Sequence, residues 1–592
     1  MNRRSLKMPS LLAAMPALFV LALHARLYYP FIADDAFISL RYAERFAQGL
    51  GLTWNDGERV EGYSNLLWVL ANALLYSSGV DLVTACRALG ALGMGGVLVC
   101  VARCSARDPL RMRAAGALAA LCLAFTGPLA AWAVGGLEQA LLALLLAWAL
   151  IAADTLIVAP HEAKRWSVAV PLAALCLTRP DSPVLVLGVL LGVWGALGPR
   201  GLKHALVIGL WAAAAVLMQL IFRLAYYGEW VPNSARAKVA FTAERIVTGV
   251  IYVVDALLHL WPLYVLALLV TVMSRQRRAR LLPALGVLLL WSVYVLVIGG
   301  DIFPARRHSV PLLVALGVVL AIGLRQAFES NRAYAFTLAL SVLAMVAQIG
   351  LTARDPQNFL ASTERWELDG EVIGRLLGRA FAAEQPLLAV DAAGCLPYYS
   401  RLPAIDMLGI NDRYLAAHPP PGFGHGRLGH ELGNGEYVMS RAPDLVLPCL
   451  PQGADHGCYR SGRELLARAD FRRAYRLLNF EGSEPYRFRS RIFVRTDGRL
   501  GIRSSASGVT IPGVFFAFGR ASATLDAQGR IGTTLKPGQA MELQVSALRG
   551  QRWQTHPELD GTAEVSVEDG QITLTAGPAG AHIRALVLSF VP

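Results

Sequence analysis

Eleven apolar runs lie between residues 9 and 352, at about 9–28, 87–104, 114–133, 138–157, 167–178, 183–198, 205–225, 252–273, 281–299, 309–324 and 333–352. A run of roughly 20 apolar residues can cross a bilayer as a helix. Backbone in lipid must satisfy its own hydrogen bonds, so this part of the chain can fold only as a polytopic α-helical membrane domain. Composition agrees. Of 592 residues, 55% are hydrophobic and 16% charged, against roughly 25% charged in soluble domains. A disordered chain and a single compact soluble domain are both excluded. The net charge of +13 comes from 55 Lys and Arg against 42 Asp and Glu. These cations stand in short clusters between apolar runs, the pattern of membrane topology and not of nucleic-acid binding.

Arg3, Arg4 and Lys7 precede the first run, which reads either as a cleaved signal or as a first membrane helix. An uncleaved helix with a cytoplasmic N-terminus is expected. The stretch SNLLWVLANALLYSSGV at 64–80 is too short to span. Were it to cross, Arg103, Arg107, Arg111, Arg113, Lys164, Arg165, Arg275, Arg277, Arg278 and Arg280 would all lie outside. A helix on or in the outer interface puts them inside instead. Eleven crossings then carry the C-terminal region outside.

From 353 onward the text is that of a soluble region. PLLAVDAAG, LPAIDMLG and PDLVLPC each read as a buried strand followed by a turn. Past about 500, Gly-punctuated alternation such as TAEVSVEDGQITLTAG reads as an antiparallel β-sandwich. The expected division is 1–352 membrane domain, 353–500 α/β domain, and 501–592 β-sandwich, a candidate carbohydrate-binding module. Among eight cysteines, Cys449 and Cys458 enclose a Pro/Gly/Asp loop. A disulfide and two free thiols both remain open from this spacing.

The polar outer loops hold the candidate chemistry. Asp34 and Asp35 follow the first helix and precede amphipathic text with Arg41, Tyr42 and Arg45. A carboxylate that takes a proton from an attacking hydroxyl, with cations to hold a departing phosphate, is what inverting sugar transfer needs. The same aspartates would also serve as an ordinary helix N-cap. Glu138 could complement a helix N-terminus, Arg179 could pair with Asp181 across Pro180, Arg223 and Lys238 could snorkel, and Asp301 with Arg306, Arg307 and His308 could cap a turn. The convergence of acids and bases on one membrane face, where unpaired charge is costly, argues for a site.

DDAFISLRYAERFAQGLGLTWNDGERVEGYSNLLWVL (34–70), GGLEQALLALLL (135–146), TRPD (178–181), YYGEWVPNSARAK (226–238), GGDIFPARRHSVPLL (299–313) and DAAGCLPYYSRLPAIDMLGINDRYLA (391–416) occur in that order. Together they resemble the membrane glycosyltransferases of the GT-C class, and most the branch containing the mycobacterial terminal arabinofuranosyltransferase. The resemblance implies a multi-helix membrane domain with juxtamembrane helices in the first outer loop, an extracytoplasmic soluble region, and a bacterial inner-membrane location. It implies a polyprenyl-phosphate sugar donor and a glycan or glycoprotein acceptor. Asp34 and Asp35 inherit the catalytic position as a pair. Arg41, Glu138, Arg179, Tyr226, Tyr227, Asn233, Lys238, Asp301, Arg306, Arg307 and His308 are implied to bind donor phosphate or sugar. The chain departs from relatives at Pro232-Asn233-Ser234-Ala235-Arg236, which adds a cation, and at the charged Arg306-Arg307-His308.

The expectation is therefore an inverting enzyme that moves D-arabinofuranose from a polyprenyl phosphate to an extracytoplasmic acceptor. The rivals are mannose, glucose or aminoarabinose as the sugar, or a lipid-linked-sugar transporter, for which paired internal repeats are lacking. No obligatory metal is expected, although Asp34, Asp35 and Glu138 offer oxygen ligands to a divalent cation.

Overall fold

A computed structural model describes residues 8–104, 110–273 and 278–591. Arg3, Arg4, Lys7, Arg107, Arg275 and Arg277, and the side chain of Arg111, lie outside the described residues. The chain divides into two units. The first comprises 1–53, 63–364 and 424–428, and the second 54–62, 365–423 and 429–592.

The first unit is helical. Its helices are α1 (Met8–Arg26), α2 (Asp34–Ala47), α3 (Leu66–Ser77), α4 (Leu82–Arg103), α5 (Leu110–Ala124), α6 (Gly127–Trp132), α7 (Gln139–Val158) and α8 (Trp166–Thr178). They continue as α9 (Ser182–Leu197), α10 (Pro199–Tyr227), α11 (Asn233–Lys238), α12 (Ala243–Met273), α13 (Arg278–Ile298), α14 (Val310–Ala327), α15 (Asn331–Arg354) and α16 (Pro356–Thr363). Seven described helices are long and apolar enough to cross a membrane, namely α4, α7, α10, α12, α13, α14 with its preceding turn, and α15. The first, third, fifth and sixth expected spans are shorter apolar helices. The chain is a multi-pass membrane protein. The 64–80 stretch is α3, whose 12 residues reach about 18 Å, too short to span.

The third run differs from its reading as one continuous span over 114–133. It breaks after Ala124, and Gly127 and Pro128 open α6. Proline is favoured in the first turn of a helix but cannot donate inside one, so the apolar text continues while the helix does not. Burial within the protein ranks the helices. In α14, 89% of the apolar window is enclosed, against 28% in α10 and α15, so α14 forms the centre and the other two present Leu, Phe, Ile and Trp outward. The α9–α13 crossing is close. A Cβ on Gly286 would collide with the Gly188 carbonyl oxygen, the small-residue contact typical of membrane helices.

The second unit is built on a 12-stranded sheet. Its strands are β1 (Leu388–Val390), β2 (Ala404–Asp406), β3 (Leu445–Leu447), β4 (Tyr475–Gly482), β5 (Phe488–Arg495) and β6 (Arg503–Ser505). They continue with β7 (Gly508–Pro512), β8 (Ser522–Leu525), β9 (Ile531–Leu535), β10 (Ala540–Gln544), β11 (Arg552–Glu568) and β12 (Gln571–Val591). The order is β2-β1-β3-β5-β4-β8-β9-β12-β7-β6, with β10 and β11 also on β12. The three expected buried strands are the parallel trio β2-β1-β3. The later strands are antiparallel and include the long β11–β12 hairpin. The α/β and β-rich segments, read separately from sequence, join in one sheet through a single parallel pairing, Phe480 with Ala523.

Two features were not visible in the sequence. Trp54–Gly62, from the first loop, belongs to the second unit: Asn55 Nδ2 donates to the Ala404 carbonyl (2.7 Å), and the Ala404 N–H donates to Asn55 Oδ1 (3.2 Å). The break after α15 falls past Glu364, later than the expected 352/353 boundary. Asp355 caps α16 and Ala305 N–H donates to the Gln357 carbonyl (3.2 Å), which holds α16 in the first unit.

Cys449 and Cys458 form a disulfide. Beside it, Asp391 directly follows β1, and its Oδ2 accepts from the Cys449 N–H (2.6 Å). Burial pushes the Asp391 carboxyl up to about 7, and Asp406 nearby is pushed up to about 6, also by burial first. An unfolded aspartate titrates near ~3.9. Between about pH 4 and 7 the folded chain thus holds protons that the unfolded chain has released, so stability falls as pH rises through this window. Asp391→Asn is expected to gain melting temperature over wild type progressively from pH 5 to 7. An offset that is constant with pH in thermal denaturation would count against this.

Candidate functional site

Polar residues gather where helices of the first unit end. Asp34 and Asp35 occupy the first turn of α2, with Ala33 at the N-cap and no capping side chain. Of the two roles open to them, that of N-cap residue is thus filled by Ala33; carboxylates in a first turn complement the helix dipole. The Ala33 N–H donates to the Gly135 carbonyl (3.1 Å) and Trp68 Nε1 donates to that of Gly136 (3.1 Å). Gly136 has φ +79°, and a Cβ there would lie 2.7 Å from Ile32 Cγ1 and 3.0 Å from the Ala36 Cβ. Only glycine lets this turn pack against the start of α2. It seats Glu138, which precedes α7, close to the same helix start.

Glu138 is the hub. Its Oε2 accepts from Asn65 Nδ2 (2.9 Å), and Asn65 Oδ1 accepts from Ser39 of α2 (3.1 Å). Arg179, between α8 and α9, donates from Nη1 to Glu138 Oε1 (2.5 Å). The same guanidinium clasps Asp181 with Nε (2.8 Å) and Nη2 (2.6 Å), and Tyr294 donates to Asp181 Oδ2 (2.9 Å). Burial alone would raise the proton affinity of Glu138, but Arg179, Arg307 and Asn65 outweigh it and hold the carboxyl below its ordinary value. Asp181 is likewise penalised by burial yet held at about 2 by Arg179.

Two further pairs flank this hub. Lys238, ending α11, donates to Asp35 Oδ2 (2.9 Å). In the α13–α14 loop, Arg307 donates to Asp301 Oδ2 (2.7 Å) and Oδ1 (3.1 Å). Asp301 is held below its usual range: burial opposes its charge, and Arg307, His308 and Lys238 overcome that. The Phe303 ring lies between the two cations, 4.3 Å from Arg307 and 5.8 Å from Lys238, with Trp132 edge-on to it. His308 Nε2 stands 3.9 Å from Asp301 Oδ2, while its buried Nδ1 has no hydrogen-bond partner.

The remaining candidates sit differently. Asp34, Arg41 and Asn233 are buried. Tyr226 accepts from the Leu52 N–H (3.2 Å), and Tyr227 donates to the Leu52 carbonyl (2.8 Å) and lies 3.1 Å from the Tyr63 hydroxyl. Both therefore fix the segment after α2. Arg306 faces away from it, toward Asp255 and Asp355. Arg223 is buried and does not extend as a snorkelling end. Ser39, Asn65, Tyr294, Trp132, Phe303, Asp255, His259 and Asp355 also belong to these networks, and no motif in the sequence marks them. Asn65 stood within the first matching block, but its partner 73 residues away was not legible.

The chemistry available is that of anchored carboxylates, each beside a cation, with the Asp35–Lys238 pair more exposed than the pairs of Arg179 and Arg307. Among the described residues, Cys449, His456 and Cys458 are near enough to share a metal ion, but the two thiols are joined to each other, so no thiolate is available.

Removing Arg179 leaves Glu138 and Asp181 as buried charges without their counterion. Breaking such a pair from one side costs about 3–5 kcal/mol. Arg179→Ala is expected to lower the melting temperature sharply, and Glu138→Gln in the same chain to restore part of it. Equal melting temperatures for wild type and Arg179→Ala would contradict this electrostatic assignment.

A domain family of unknown function (DUF8728) matches residues 358–497. Structures with partial likeness include arabinofuranosyltransferase AftD from Mycobacteria (12% identity, TM-score 0.47, covering 100% of this chain and 57% of that one). Another is ArnT from Cupriavidus metallidurans bound to undecaprenyl phosphate (15%, TM-score 0.46, 67% and 85%). Scores below 0.5 add nothing to the fold described above. The terminal beta-(1->2)-arabinofuranosyltransferase of Mycobacterium tuberculosis (strain ATCC 25618 / H37Rv) is 29% identical over 388 residues, 61% of this chain and 60% of the relative's length. Over those 388 residues the chain is similar in sequence to that enzyme, and it spans about 60% of the enzyme's length.

Proposed function

We propose that the protein is an inverting glycosyltransferase that moves D-arabinofuranose from a polyprenyl phosphate to an extracytoplasmic glycan or glycoprotein. In this reading it lies in a bacterial inner membrane with its N-terminus cytoplasmic and its second unit outside. One carboxylate of Asp34 and Asp35 takes the proton of the acceptor hydroxyl. The hydroxyl oxygen bonds to the anomeric carbon from the face opposite the phosphate, and the bond from that carbon to the phosphate oxygen breaks. The electron pair leaves with the lipid phosphate, whose charge is met by cations, so no acid is needed.

The observation that carries the reading is the Asp35–Lys238 pair. It joins the first turn of α2 to the end of α11, and its side chains are 28% and 27% exposed. Those of Glu138 and Arg179 are 2% and 10% exposed, and those of Asp301 and Arg307 5% and 11%. A donor phosphate can therefore draw Lys238 off Asp35 while water and substrate solvate the groups exchanged. That exchange supplies a cation for the leaving group and frees a carboxylate to act as base in one event. Arg307 is the second phosphate cation, and Arg179 fixes Glu138 toward the sugar.

Purified full-length protein given a synthetic prenyl-phosphoarabinose and an arabinan acceptor is expected to form product. At least one of Asp34→Asn and Asp35→Asn should lose a hundredfold or more in kcat, within the ~10²–10⁴ range for a general base. Full activity in both variants would remove the base from this pair. A panel of mannose, glucose and aminoarabinose donors reads the sugar: preference for one of these keeps the transferase and replaces arabinofuranose. Chelator is expected to leave the rate unchanged, and a loss restored by Mg²⁺, Mn²⁺ or Ca²⁺ would place a metal in the mechanism.

A further inference from the structure

Two consecutive arginines in the α13–α14 loop face opposite partners. Ala305 and Arg306 both take left-handed backbone, with φ of 51° and 44°, a conformation that side chains other than glycine, Asn and Asp adopt only when the surroundings enforce it. Those surroundings are specific. Arg306 is 2% exposed. Its Nε donates to Asp255 Oδ2 of α12 (2.5 Å), its Nη1 donates to Asp355 Oδ2 ahead of α16, and its Nη2 stands 3.0 Å from Nδ1 of His259. The Ala305 N–H is taken by Gln357, and the Arg306 carbonyl accepts from the Ser309 hydroxyl (2.7 Å). One residue later, Arg307 points to Asp301 and Phe303.

We propose that Arg306 is a positioning residue, and that its ion pairs with Asp255 and Asp355 hold the loop in the left-handed turn that delivers Arg307 to the donor phosphate. This rests on the reading of Arg307 as a phosphate cation. Arg306 does not touch the lipid phosphate; it acts through its neighbour. The planar guanidinium reaches both carboxylates and the imidazole together, which the single ammonium of lysine cannot do. The left-handed turn is thus kept by three side chains, two on α12 and one ahead of α16, none of them among the residues read as touching donor.

The test uses the full-length protein in detergent or nanodiscs, with a long-chain polyprenyl monophosphate as the binding probe. Four forms are compared: wild type, Arg306→Lys, Arg307→Ala, and the double variant. Arg306→Lys is expected to weaken binding roughly tenfold in the wild-type background and less than twofold when Arg307 is already alanine, the non-additivity of residues that act through one another. In the absence of any ligand, Arg306→Lys and Asp255→Asn should both speed amide hydrogen exchange in 299–309, while exchange in α14 stays as in wild type. Equal loss of binding in both backgrounds would make Arg306 an independent contact and overturn the proposal, as would unchanged exchange in 299–309. If Arg307→Ala binds the probe as wild type does while exchange still responds to Arg306→Lys, the phosphate reading of Arg307 fails and the loop clamp stands alone. Faster exchange throughout α14 would show general unfolding and overturn it too.

Discussion

A guanidinium shared by two carboxylates, Arg179 between Glu138 and Asp181, ties three helix ends together where little water reaches. A charge at such a position is tolerated only when paired and hydrogen-bonded. This one pairing therefore fixes α7 against the α8–α9 turn, and through Asn65 and Ser39 it fixes α2 as well. The aspartates of α2 inherit their placement from it. The apolar contacts of α14 and the glycine crossing of α9 with α13 bring the helices into register, but they do not choose which side chains meet at the ends.

Much of the helical unit was legible because the lipid constraint is severe. Long apolar runs can do little else, and 64–80, read as non-spanning from the basic residues on either side, forms a helix of only 12 residues. The break at Thr126 was less legible, since Gly127 and Pro128 interrupt the helix without interrupting the hydrophobic text. The candidate site was legible by residue type and sequence block. What spacing could not separate was Arg306 from Arg307. They are the same residue type at adjacent positions, and the backbone turn that sends them apart depends on Asp255 and Asp355, 51 residues before and 49 after Arg306.

The second unit shows the same division. Strands β1 to β3 were readable as short buried segments, and the β11–β12 hairpin as alternation around Gly570. That one pairing, Phe480 with Ala523, joins the two halves into a single sheet was not readable, because a lone long-range pairing leaves no periodic trace. Nor was the assignment of Trp54–Gly62, whose anchor is the two-way bonding of one asparagine with the backbone of Ala404.

Burial ranks the ion pairs by what each can give up. Withdrawing Arg179 strands two carboxylates that little water reaches, and the same holds for Asp301 without Arg307. Both pairs are therefore permanent parts of the fold, and any anion that uses their cations must approach without displacing the resident carboxylate. Lys238 and Asp35 differ because each is more than a quarter exposed. Water can take over the solvation of either partner, so the energy separating the paired from the exchanged state is small, as for surface salt bridges of up to about 1 kcal/mol. An incoming anion needs only that much advantage to capture Lys238. Among these described ion pairs, chemistry that requires a carboxylate to change partner within a catalytic cycle can occur without unfolding the site at Asp35–Lys238, at the first turn of α2.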